Sequence, residues 1–183
     1  MRRYLVVLAG VLATASPAQA SLLPGADFRD DRRVVGVGLG YGGGASLDVG
    51  LGKGMLAGFS AAQLLSPPGS RIDLRLLYRF IDGEGKGLSI AGIFGLWGDT
   101  GFRSGPFPFM PPIEGGFGIA YPLTSRLTAR LNLVVPLFTP QRAFDSFGGP
   151  SAGLEMGYRF LPSLEGALGL NGQGNLLGIK FLI

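Results

Sequence analysis

The segment from Ile72 to Phe80 narrows the choice of fold more than any other part of this chain. Its even positions carry Ile72, Leu74, Leu76, Tyr78 and Phe80; its odd positions carry Asp73, Arg75, Leu77 and Arg79. An extended strand throws successive side chains to opposite faces. One face is therefore apolar and ends in aromatics, and the other is mostly ionised. A soluble sandwich would turn the apolar face inward. A membrane barrel turns it outward to lipid and fills its lumen with the charges.

The first twenty residues read as an export signal. Arg2 and Arg3 form a basic start, Leu5 to Ala13 a short apolar stretch, and Ala18-Gln19-Ala20 a small-x-small cleavage site. The competing reading is an N-terminal anchor helix, but the stretch is shorter than the roughly 20 residues a spanning helix needs. Residues 21–32 are then expected to be a periplasmic lead-in, and residues 33–183 one barrel domain without a linker. The chain has no cysteine, which excludes disulfides, thiolate metal sites and a Cys-linked lipid anchor. Without Arg2 and Arg3 its 16 basic residues fall to 14, against 12 acidic ones, so nothing points to nucleic acid.

Composition argues against helices. Glycine contributes 33 of 183 residues, a density that breaks helical segments. No apolar run after the signal reaches the length of a spanning helix. Period-two alternation recurs instead, in pieces near the roughly 9–11 residues a tilted strand needs to cross a bilayer. About ten strands are expected: near Arg33–Gly42, Ala45–Leu51, Gly54–Gln63, Ile72–Phe80, Gly87–Trp97, Ile113–Leu123, Arg126–Leu137, Ala152–Leu161, Leu164–Leu170 and Asn175–Ile183. Eight remain if the weak third and ninth pieces are misread. The fifth piece is apolar on both faces, so its register is open.

Connection lengths supply a second signal. The even-numbered connections are short, and the two longest, Gly98–Pro112 and Phe138–Ser151, are both odd. Alternate connections of an up-and-down barrel lie at opposite ends, and outer-membrane barrels have short periplasmic turns and longer outer loops. Aromatics gather in the same sense. Tyr78, Phe80, Tyr121, Tyr158, Phe160 and Phe181 fall near the ends of even strands, where they would form a girdle at one headgroup layer.

On these features residues 33–183 resemble the small bacterial outer-membrane β-barrels. The closing segment Leu176 to Ile183 looks like the C-terminal signal read by the barrel-assembly machinery, with Gly178 sixth from the end and Phe181 third from the end. It departs at Ile183, where an aromatic is usual, and at Leu176, where a polar residue is usual. Tyr78-Arg79-Phe80 and Tyr158-Arg159-Phe160 look like the same strand ending used internally. The resemblance implies an all-β, closed, antiparallel up-and-down barrel in the outer membrane, with membrane lipid and the assembly machinery as partners.

The alternation puts Asp48, Asp73, Arg75, Arg79, Glu114, Arg130, Glu155, Arg159 and Lys180 inside, with Thr128 and Asn132. Charges in a narrow lumen need partners, and near-balance of sign favours a salt-bridged plug over a narrow polar channel. The chain has no histidine, which removes Ser-His-Asp hydrolysis and most zinc sites. Gly38 to Gly43 matches G-x-G-x-x-G but precedes a strand rather than a helix. Asp30-Asp31 reads as a solvated lead-in, and Glu155 with Glu165 as structural ion pairs rather than an acid–base couple. No cofactor, metal or catalytic activity is expected.

The segment Gly101–Pro112 holds three Phe, one Met and four Pro. Phe102, Phe107, Phe109 and Met110 would form a stiff apolar contact patch for an extracellular partner, or a cap over the barrel mouth. The expected function is that of a non-enzymatic outer-membrane barrel with an envelope-structural or surface-interaction role through its loops. The alternatives are a narrow, porin-like passive channel and a soluble periplasmic lipid-binding barrel. The last requires Leu74, Tyr78, Leu131 and Phe160 to point inward.

Overall fold

The computed structural model describes residues 25–40, 42–65, 68–99, 112–138, 151–171 and 175–183. These form ten strands: β1 Arg33–Gly40, β2 Gly42–Gly52, β3 Met55–Leu65, β4 Pro68–Ile81, β5 Ser89–Asp99, β6 Ile113–Pro122, β7 Leu127–Phe138, β8 Ser151–Leu161, β9 Leu164–Asn171 and β10 Asn175–Leu182. Each strand is antiparallel to the next, and β10 returns to β1, so the sheet closes into a barrel. The closing seam runs from Val34 opposite Leu182 to Leu39 opposite Leu177. Reciprocal bonds between Arg33 and Ile183 finish it, at 3.0 and 2.8 Å. Ten is the strand number, so the eight-strand count is set aside; β3 and β9 are both full members of the ring.

One end of the barrel carries the tight turns at 52–54, 82–88, 123–126 and 162–163, together with Arg33 and Ile183. It is called the turn end here. In the first turn Gly52, Lys53 and Gly54 all have positive φ, at 83°, 54° and 73°, a path that glycine follows without steric cost. The other connections leave from the opposite, loop end. Segments 100–111 and 139–150 lie outside the described residues, and with them Phe102, Phe107, Phe109 and Met110.

The polarity of the wall is inverted relative to a soluble barrel. Every strand exposes large apolar side chains on its outer face, from Val37 on β1 and Phe59 on β3 to Leu154 on β8 and Ile179 on β10. On β4, Leu74 is 57% exposed while Asp73 beside it is 1% exposed. Leu74, Tyr78 and Phe160 point outward, against the requirement of a lipid carrier. β5 resolves the open register: Ala91, Ile93, Gly95 and Trp97 face inward and Phe94 outward. The inner side of β5 is apolar because it joins a small core with Leu56, Leu77, Ala120 and Val134, completed by Ala26 and Phe28 from ahead of the barrel.

Inward glycines sit where a neighbouring strand places a polar side chain. Gly58 lies opposite Asp48, Gly95 opposite Glu114, and Gly118 opposite Asn132. A Cβ built on those glycines would come within 2.5–2.7 Å of the opposing side chain. Glycine thus makes room for the charges in a lumen too narrow for two side chains at one level. On the outer face, the Phe160 ring covers Gly166 in the same way.

Gly157 is held against Arg130 and Glu165, whereas Gly98 has nothing near its missing Cβ. Gly157→Val is expected to destabilise the barrel by roughly 1–3 kcal/mol, and Gly98→Val by less than about 0.5 kcal/mol. Urea midpoints in detergent, read by heat-modifiable gel mobility, check the contrast.

Candidate functional site: a charged lumen and its N-terminal plug

Two ion-pair clusters divide the described lumen. The cluster nearer the loop end is built by β4, with support from β3, β5 and β6. Arg71, Asp73 and Arg75 share one face of β4 because they are two apart. Arg71 binds Asp73 at 2.5 Å and Glu114 on β6 at 3.0 Å. Arg75 Nε reaches the other oxygen of Glu114 at 3.1 Å, and Ser60 donates to Asp73 at 3.3 Å. The Arg71 guanidinium lies over the Trp97 ring, 4.5 Å from its centroid. Arg71 is only 1% exposed, so its charge is sustained by these carboxylates and the ring face.

The second cluster, nearer the turn end, centres on Arg130 of β7. Its Nη1 donates to Glu155 at 3.0 Å and to Glu165 at 2.5 Å, and its Nη2 donates to Glu165 at 3.0 Å. Nε and Nη2 also form a fork onto Asp27, both at 2.8 Å. One guanidinium therefore ties together β7, β8, β9 and a residue that precedes the barrel. Lys180 of β10 pairs with Glu155. Asp48 is buried on β2 beside Gly58. Asn132 is buried against Gly118, and Thr128 is half-buried.

Residues 25–32 enter the turn end of the lumen. Ala26 is fully buried and Phe28 nearly so. Arg79 of β4 donates to the Phe28 carbonyl, stacks over the Phe28 ring at 4.7 Å, and pairs with Asp30 at 3.1 Å and Asp82 at 2.9 Å. Asp30 also accepts from the Gly54 amide at 2.8 Å. The expectation that Asp30 is simply solvated is corrected: with Arg79 facing it across the barrel mouth, the carboxylate gains a fixed partner. Arg159 is half-buried, and its Nε has no hydrogen-bond partner among the described residues.

Between this segment and the turns lies a cavity of about 830 Å³, lined by Arg79, Lys86, Arg126, Arg159, Thr128 and the acidic Asp30, Asp82 and Glu84 among others. A separate small cavity of about 60 Å³ lies deeper, lined by Asp27, Asp48, Arg130 and Lys180 among others. Among the described residues the lumen thus has an open mouth, and beyond it the side chains of both ion-pair clusters are buried. Among the described residues no group of three or more metal-ligating side chains could hold an ion.

Tyr78, Phe80, Tyr121, Tyr158, Phe160 and Phe181 are all exposed on β4, β6, β8 and β10, toward the turn end. Tyr158 and Phe160 meet edge to face with centroids 5.0 Å apart.

Sequence reasoning left Arg71, Asp27 and Phe28 out of the lumen and did not join Glu165 to Arg130. Arg71 has the parity of Asp73 and Arg75 and enters once β4 is extended to Pro68. Glu165 has the parity of buried Ala167. Asp27 and Phe28 lie outside any strand, and no periodicity marks them.

The geometry defines a closed up-and-down barrel with an apolar outer wall, a charged interior and an inserted N-terminal segment. No protein-family model matches the chain, and no curated protein matches it. Among solved structures it is similar to a KdgM porin, with a TM-score of 0.43 and 10% identity over 82% of this chain and 97% of that one. A KdgM porin in complex with disordered oligogalacturonate gives a TM-score of 0.43 and 11% identity at the same coverage. A NanC porin gives 0.37 and 11%, over 82% of this chain and 96% of that one.

Burial alone would raise the Asp27 carboxyl, but the charge of Arg130 and its fork of hydrogen bonds, with the charge of Lys180, outweigh burial and hold the pKa at about 2. A depressed carboxylate stabilises the fold fully above its ordinary value of 3.8, and that contribution is lost as pH falls through about 2. Wild type is expected to exceed Asp27→Asn by about 2 kcal/mol at neutral pH, with the gap closing between pH 4 and 2; urea unfolding across that range measures it. Arg130→Met leaves three carboxylates facing one another and is expected to cost about 3–5 kcal/mol, against less than about 0.5 kcal/mol for exposed Arg126→Ala.

Proposed function

We propose that this chain is a non-enzymatic integral outer-membrane β-barrel whose described lumen is sealed in its resting state, serving envelope structure or surface interaction from its loop end. The inverted polarity of the wall carries this reading. Exposed Leu, Ile, Val, Phe and Tyr on all ten strands make an apolar belt larger than a water-soluble monomer sustains. In a bilayer that belt is the solvated surface, and ring closure leaves no backbone edge facing lipid. The exposed aromatics near the turn end suit a headgroup layer. A periplasmic turn end is supported by its short turns and by the N-terminal lead-in expected after an export signal at Met1–Ala20.

A second reading is a narrow passive channel. The open cavity of about 830 Å³ at the turn end favours it, since a barrel used only as a solid pin has no need of a mouth. The buried ion-pair clusters beyond the mouth oppose steady conduction in this conformation.

Fractionation tests the membrane assignment. The protein is expected in the outer-membrane fraction, extracted only by detergent; release as a soluble periplasmic protein would overturn it. Leu74→Arg is expected to cost about 2–4 kcal/mol for the barrel folded into lipid vesicles, whereas a wall facing water would tolerate the change. Planar-bilayer recording separates the two functional readings: silence supports the sealed barrel, and steady single-channel currents support the channel.

A further inference from the structure

We propose that residues Gly25–Arg32 are a displaceable plug, and that their withdrawal opens the turn end of the lumen to ions. This rests on the reading of the chain as a membrane-spanning barrel. The segment differs from every strand in how it is held. The barrel strands are bound by continuous backbone ladders, whereas the ladder stops at Arg33 with Ile183 and at Arg32 with Gly50. Ahead of that point the contacts across the lumen are those of individual side chains. Asp27 forks onto Arg130, Asp30 pairs with Arg79, Phe28 lies under Arg79, and Ala26 packs into the apolar cluster.

The receiving side chains do not depend on the plug for their own neutrality. Arg130 keeps Glu155 and Glu165 when Asp27 leaves, and Arg79 keeps Asp82 when Asp30 leaves. Water entering the vacated space solvates what the plug had covered. Withdrawal breaks the Asp27–Arg130 and Asp30–Arg79 pairs, the contacts of Arg79 with the Phe28 carbonyl and ring, and the bonds from the Gly54 and Gly50 amides to Asp30 and Arg32, and it uncovers Ala26 and Phe28, while every strand pairing persists. That is the signature of a part that can move without unfolding the barrel. The space it vacates adjoins the mouth cavity on one side and the small cavity beside Asp48 and Lys180 on the other, both of which Asp27 and Phe28 line.

The test is labelling of an introduced thiol in dilute KCl, where ion pairs are least screened, on Ala26→Cys alone and on Ala26→Cys with Asp27→Asn/Asp30→Asn; the chain has no native cysteine. Outer-membrane fractionation and heat-modifiable mobility first establish that each is inserted and folded. The thiol at position 26 should be protected from a charged, membrane-impermeant thiol reagent in the otherwise native chain and labelled on the order of tenfold faster beside the double substitution, because two charge-assisted anchors are removed. Folded, inserted double variants in which the introduced thiol stays equally protected would overturn the plug. Failure of wild type to reach the outer membrane would instead overturn the membrane reading beneath it.

Discussion

Ring closure is the constraint on which everything else in this barrel depends. A sheet that ends has unpaired N–H and C=O groups along both edges, and in hydrocarbon each unpaired group costs several kcal/mol. Pairing β10 with β1 removes both edges at once. Closure also fixes the two environments that every side chain must choose between, a convex outer wall and a narrow interior. With ten strands the interior beyond the mouth is too narrow to leave charged side chains bathed in bulk water, so the charges of both clusters are held in ion pairs.

The interior solves that packing problem by pairing bulk with absence. Asp48, Glu114 and Asn132 each stand opposite a glycine on the adjacent strand. Arg130, the most connected side chain of the described lumen, rests against Gly157. The abundance of glycine that argues against helices therefore has a second meaning inside the closed structure, since it supplies the volume the ion pairs occupy. Arg130 then links three strands with the segment ahead of the barrel, so the wall and the lumen filling are one electrostatic unit.

Legibility followed periodicity. The alternation over Ile72–Phe80 showed which face of β4 carries charge, and in the structure Leu74 is exposed while Asp73 and Arg75 are buried. β5 was opaque because both of its faces are apolar, one for the wall and one for contact with Leu77, Phe28 and their neighbours. No local signal distinguishes those uses. Arg71 lay beyond the strand boundary drawn from pattern alone, although its parity was right. Asp27 and Phe28 were invisible for a different reason: their placement depends on Arg130 and Arg79, 103 and 51 residues away in the chain.

The amino-acid order by itself determined an all-β chain with period-two strands, one apolar face and one ionised face, and turns rich in glycine, because these properties reside in neighbouring residues and the geometry of an extended backbone. The tertiary structure alone decided which carboxylate meets which guanidinium, that the inner side of β5 joins an apolar core, and that residues 25–32 fill the turn end. Those outcomes depend on strands far apart in sequence being brought around one axis, and no local pattern encodes the distance across a lumen.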